Sequence, residues 1–247
     1  MSPQIPTVDI ADAVLREWTE HPEVIAAFLA GSVAKGTATA GSDIDAVIVY
    51  SHLDGAVRET HERGGFMLEL FLHDPDTLAW FWDNDRQAGK PSLARMVANG
   101  LPLAGQPEVI EELKRQAQAV LDGGPPPLSD GEMRRRRYAI SDLAADLAQD
   151  RTRAEQLAIG TRLYIELADF TLRAALAWSG SGKGLAKALR RLDPGLAAAF
   201  EHAFAELFAL AEPTEALALV DLCLEPYGGR LTVGDRRAAP ADWRMGD

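Results

Sequence analysis

Apolar positions recur at two spacings along the chain, and the change from one to the other divides it. Between Val8 and Glu20, Ile10, Val14, Leu15 and Trp18 fall near helical spacing and predict an amphipathic helix that His21-Pro22 ends. Residues 24–30 form a short apolar run stopped by Gly31-Ser32, the pattern of a buried strand. Residues 43–50 and 64–72 predict two more strands, the first rich in Val and Ile. Residues 77–99 read as helix interrupted at Gly89-Lys90-Pro91, and 107–121 as helix again. Between them, 101–104 reads as a short edge strand, where Pro102 is tolerated. Strands early and helices late predict an α/β or α+β arrangement for this half.

The second half carries almost no strand pattern. Residues 130–149, 153–179, 185–192 and 196–211 all repeat apolar side chains every three or four positions, and 213–224 adds a shorter segment. This predicts a helical bundle. The halves meet at Gly123-Gly124-Pro125-Pro126-Pro127, which continues neither a helix nor a central strand and reads as a linker stiffened by its prolines. The expected boundaries are 1–122 for a first domain, 128–225 for the helical bundle and 226–247 for a tail of no predicted element.

Composition narrows the class. The chain has 247 residues, 47% hydrophobic and 25% charged, enough to build a core without staples. Its single cysteine, Cys223, excludes an internal disulfide framework and a cysteine-rich zinc site. Residues 1–18 lack the basic and apolar regions of a signal peptide, and no apolar run reaches 18 residues, so the cytoplasm is the expected compartment and no membrane partner is expected. The net charge of −12 argues against nucleic acid and anionic membranes as partners. That charge is uneven. Residues 1–122 hold 19 Asp and Glu against 9 Lys and Arg, a net of −10, which leaves −2 for the rest.

Candidate chemistry concentrates in residues 29–50, LAGSVAKGTATAGSDIDAVIVY. Gly31 permits a sharp turn and close approach to a ligand, and Ser32 can cap a following helix and offer its hydroxyl and amide to a phosphate. Asp43 and Asp45, two apart at a strand, point the same way and repel unless a cation lies between them. Glu69 is the one charge in the apolar strand FMLELFL, and a buried carboxylate is costly unless paired or bound to metal. If the two strands are neighbours, three oxygen-only ligands converge, a set that favours magnesium shared with phosphate. Taken singly, each feature has a plainer reading: a turn and cap at Gly31-Ser32, a solvated strand start at Asp43 and Asp45, an edge strand facing water at Glu69.

Gly31, Ser32, Gly36, Ser42, Asp43, Asp45 and Glu69, in this order and on these elements, resemble the DNA polymerase β-like nucleotidyltransferase superfamily. The resemblance is strongest to its minimal and aminoglycoside-type branches, which join a small catalytic domain to a helical one. It implies an α+β fold, a small mixed sheet followed by an all-α bundle. It implies an enzyme that transfers a nucleoside monophosphate from an NTP to an acceptor hydroxyl and releases pyrophosphate. By that likeness Asp43 and Asp45 hold one or two Mg2+ ions bridging the triphosphate, and Glu69 holds the catalytic metal near the attacking oxygen. Gly31 and Ser32 contact the triphosphate, Ser42 belongs to the same nucleotide-binding loop, and Lys35 reaches a phosphate as a point charge. In the helical half, Gly-Ser-Gly-Lys-Gly before a helix presents Lys183 to a phosphate, although it lacks P-loop spacing. A solvated lysine is an equal alternative at Lys35 and at Lys183.

Other features of the helical half point elsewhere. Arg134 to Arg137 reads as a solvated or interdomain patch, and Glu166, a candidate acceptor-side base, reads first as an i,i+4 partner of Arg162. His202 is the only histidine after residue 127 and has no arginine four to six residues before it, which disfavours a HEPN ribonuclease. The acceptor is expected to be a small molecule, with an aminosugar suited to the acidic charge. The alternatives are a protein acceptor, as in antitoxin-like members, and a nucleotide-binding module without catalysis.

Overall fold

The computed structural model describes residues 4–234 and 236; residue 235 and residues 237–247 of the expected tail lie outside the described residues. The chain divides into two compact units, Met1–Pro125 and Pro126–Asp247. The fold is α+β, with a mixed sheet in the first unit and helices throughout the second.

The first unit runs α1 (Val8–Thr19), β1 (Val24–Leu29), α2 (Gly31–Ala34), β2 (Ile44–Tyr50), β3 (Val57–Arg63), β4 (Phe66–His73), α3 (Pro75–Ala88), α4 (Ser92–Ala98), β5 (Leu101–Gly105) and α5 (Pro107–Asp122). The sheet order is β3-β4-β2-β1-β5. β2 and β4 pair in parallel, and the other neighbours are antiparallel. Its two faces are buried by different helices. α1 packs Leu15 and Trp18 against Leu29, Ile48 and Leu70. On the other face Phe28, Val47 and Val49 pack with Leu78, Trp82, Val97 and Leu113 of α3 to α5. Because strand side chains alternate, Asp45 and Glu69 belong to this second face, at the end of its apolar rows.

One strand has no apolar signature. β3, VRETHER, is almost wholly polar, and its hydrophobic pattern predicts nothing. It forms because Gly64-Gly65, both with positive φ, make a two-residue hairpin turn into Phe66. Those glycines are therefore the turn, and the expected strand start at residue 64 moves to Phe66. β5 is an edge strand with Pro102, as its sequence predicts.

The second unit contains α6 (Asp130–Leu147), α7 (Arg153–Ala174), α8 (Lys183–Leu192), α9 (Pro194–Leu210) and α10 (Thr214–Leu224) around a core that includes Ile140, Leu163, Phe170, Phe204 and Val220. Ser129 with Glu132 and Thr152 with Glu155 form capping boxes that start α6 and α7. α7 stops five residues before the expected Ser179. Leu176 takes φ 55°, and the Ala177 N–H bonds the Leu172 carbonyl while that of Leu176 bonds Arg173, a Schellman close. No glycine marks the position, so periodicity alone runs past it.

The arginine run is engaged rather than only solvated. Arg136 pairs with Asp169 at 2.5 Å, and Arg137 donates to the carbonyls of Gly228 and Gly229. Ser141 accepts the Leu231 N–H, so residues 228–231 of the tail dock onto α6. Arg162 and Glu166 approach to 3.9 Å, the pairing their spacing predicts. Among the described residues no helix is long and apolar enough to cross a membrane.

Candidate active site

The site grows from a backbone link. At the end of β1 the Ala30 N–H bonds the Asp45 carbonyl at 2.8 Å, which brings the next residue, Gly31, against the Asp45 side chain. A Cβ at Gly31 would stand 1.8 Å from Asp45 Oδ2, and its φ is +65°, a conformation L side chains rarely adopt. Glycine is thus required twice here, by space and by backbone angle. α2 follows for a single turn. Gly36, with φ +66°, closes it by donating to Val33, while Thr37 donates to Ser32. The N-cap of α2 is Ala30, without a side-chain bond, so Ser32 lies within the helix and does not cap it as expected. Lys35 is the exposed C-cap of this four-residue helix.

Asp45 of β2 and Glu69 of β4 are register partners on parallel strands, and Asp43 directly precedes β2. All three offer a carboxylate oxygen within 4.8 Å of the others. Asp43 is exposed; Asp45 and Glu69 are half-buried. β4 lies between β2 and β3, so Glu69 is not on an edge. From β3, Arg58 Nη2 donates to Glu69 Oε1 at 2.6 Å, with its guanidinium 5.3 Å from the Phe71 ring centre. Sequence reasoning missed Arg58 with its strand; the Gly64-Gly65 dipeptide was the available signal for a hairpin partner.

Two cavities flank the acids. Gly31, Lys35, Asp45, Arg95 and Asn99 line a cleft of about 220 Å³. Ser42, Asp43, Thr60, Met67 and Glu69 line another of about 320 Å³. Ser32 lines neither of these two. Ser42 shapes its own loop, where its Oγ accepts the Thr39 N–H at 2.8 Å and its N–H bonds the Thr39 carbonyl. Lys183 belongs to the second unit, as the exposed first residue of α8 after Gly182.

The donor set suits a divalent cation. Three carboxylates within one coordination span repel one another, and the Arg58 guanidinium on Glu69 offsets part of that. Oxygen-only ligands are those of hard cations.

Residues 9–99 match the nucleotidyltransferase domain family, a span that holds the three acids, the Gly31 turn and Arg58. No curated protein matches the chain. A crystal structure of a nucleotidyltransferase-like protein from Exiguobacterium sibiricum 255-15 is similar at 14% identity and a TM-score of 0.42, over 87% of this chain and 73% of that one.

Proposed function

From the premise that residues 9–99 are a nucleotidyltransferase domain, and the chain a transferase of phosphorus-containing groups, we propose that it moves a nucleoside monophosphate from an NTP to a hydroxyl of a small acceptor. The observation that carries this is the convergence of Asp43, Asp45 and Glu69 within 4.8 Å inside that domain. In the proposed reaction the acceptor hydroxyl oxygen bonds the α-phosphorus, the bond from that phosphorus to the bridging oxygen breaks, pyrophosphate leaves and the hydroxyl proton is lost to solvent or a base.

The chain's own residues divide the work. Asp43, Asp45 and Glu69 would hold one or two Mg2+ ions, which supply charge neutralisation at the phosphates and at the attacking oxygen. Asp45, with Lys35 and Arg95 on the same cleft, would serve the triphosphate side. Gly31 keeps that side open, since any side chain there would displace the Asp45 carboxylate. Glu69 and Asp43 share the second cavity, which suits the acceptor hydroxyl. Ser32 and Ser42 are assigned to nucleotide binding by family resemblance, and Lys183 by its glycine-rich setting alone. The net −10 of residues 1–122 favours a cationic acceptor such as an aminosugar.

Pyrophosphate release from NTP, with Mg2+ and a panel of hydroxyl-bearing acceptors, tests the proposal. Asp45→Asn and Glu69→Gln are expected to lower it by roughly a hundredfold or more, the scale of losing one group that stabilises developing charge, with the fold retained by circular dichroism. Full activity in either variant would remove that residue from the site. Labelled NTP in a cell lysate separates acceptor classes: label on a protein band replaces the small acceptor by a protein.

A further inference from the structure

Along the same sheet face, beyond Glu69, lies a chamber that nucleotidyl transfer as proposed does not use. β4 carries Phe71 and His73 onward from Glu69, and β3 brings Arg58 opposite Phe71. Between these strands and helices α3 and α4 remains a slot of about 250 Å³ with Val57, Phe71, Phe81 and Met96 in its lining.

Most of the slot's lining is apolar, and three of its polar residues already have a partner. Arg58 is bound to Glu69, and the Asp85 carboxylate accepts the Leu93 N–H at 3.2 Å. His73 is 4% exposed, its Nδ1 lies 3.3 Å from Thr77 Oγ1, and burial pushes its imidazole down to about 4, so it is neutral at physiological pH. A charged group entering here would give up water against a mostly apolar wall, at a cost in free energy. An apolar ring would find dispersion contacts and edge-on aromatic neighbours instead, since Phe81 already meets His73 edge-on at 5.1 Å. Phe81 and Val57, on the rim, are 38% and 46% exposed, apolar surface that such a ring would cover.

The slot also communicates with the acids. Ser92 and Met96 line both it and the cleft that holds Asp45, and Arg58 joins it to Glu69. We propose that this slot receives a flat, uncharged aromatic or heteroaromatic ring of a substrate whose reacting end lies at the acid cluster; the position of that end rests on the function proposed above. Two sources supply this chemistry, the nucleobase of the NTP or a ring on the acceptor. The second would make the acceptor an aromatic alcohol rather than a bare aminosugar.

Indole, a neutral flat bicycle, is the probe, titrated against the full chain by ligand-observed NMR. It is expected to bind, and Phe81→Ala and Val57→Lys, both at exposed rim positions, are each expected to weaken it about tenfold with the circular dichroism spectrum unchanged. Displacement of indole by Mg-ATP but not by Mg-tripolyphosphate identifies the nucleobase as the occupant. Mg-ATP binding that leaves indole in place identifies the acceptor ring. Absence of indole binding, or wild-type affinity in both variants, overturns the proposal. Calorimetry with Mg-tripolyphosphate tests the acid cluster separately. Tripolyphosphate binding without indole binding sinks the slot and spares the cluster, and indole binding without tripolyphosphate binding does the reverse.

Discussion

Gly31 and Arg58 bracket the acid cluster, one by what it lacks and the other by the charge it adds. A methyl group at Gly31 would overlap Asp45 Oδ2 and sit on a left-handed backbone. Gly31→Ala is therefore expected to cost at least about 1 kcal/mol of stability and to weaken Mn2+ binding, read by paramagnetic resonance, about tenfold as the carboxylate is displaced. Unchanged Mn2+ affinity would show that Asp45 can yield without loss. Arg58 occupies a Glu69 oxygen at 2.6 Å and so competes with any cation at that carboxylate. Arg58→Ala is expected to tighten Mn2+ binding several-fold at low salt, with the gain fading as salt screens the pair. Weaker binding in the variant would mean instead that Arg58 holds Glu69 in its ligating position. Asp43, Asp45 and Glu69 were legible as candidates because each acid breaks or borders an apolar strand. Arg58 was not, because in an almost wholly polar strand one more charge carries no such contrast.

Helix ends decide more at the scale of the element than helix interiors do. α7 closes through Leu176 in the left-handed region, with its side chain 56% exposed. Leu176→Gly is expected to stabilise the protein by about 1 kcal/mol, visible in urea unfolding; a loss would mean that the leucine's contacts outweigh its backbone strain. α3 begins at Asp74, whose carboxylate accepts N–H bonds from Thr77 at 2.8 Å and Leu53 at 3.0 Å. These bonds, that of Thr77 first, hold the Asp74 carboxyl down to about 2. Its contribution is present above the ordinary carboxylate range and is lost only as pH falls from about 4 toward 2. His73 beside it is held neutral mainly by burial, against the pull of Asp74. The fold therefore has its full His73 contribution above the ordinary value of 6.5 and loses it as pH falls toward about 4. Between pH 7 and pH 5 the loss is on the order of 2 kcal/mol. Urea unfolding at the two pH values measures it, and His73→Gln should flatten this window while leaving the Asp74 one below pH 4. An equal pH dependence in that variant would place the titration elsewhere. The starts of α6 and α7 were legible in the apolar spacing, and the capping boxes at Ser129 and Thr152 fix them with a signal confined to four residues. The end of α7 was not, because strain at Leu176 is set by the turn it closes.

For the molecule as a whole, the sequence by itself determined a strand-bearing half followed by a helical one, the succession of most strands and helices, the two-part organisation of charge and the candidate acids. Each of these rests on spacings of a few residues or on simple counts, and such signals survive without knowledge of neighbours. The tertiary structure alone decided that β2 and β4 lie side by side in parallel, so that Asp45 and Glu69 meet in register across 23 intervening positions. It also decided that a polar strand joins the sheet and brings Arg58 to Glu69, and that a slot remains under α3 and α4. Strand pairing over such distances is chosen by how the apolar faces bury together against α1 on one side and α3 to α5 on the other. That choice is a property of the packed whole, and no local pattern encodes it.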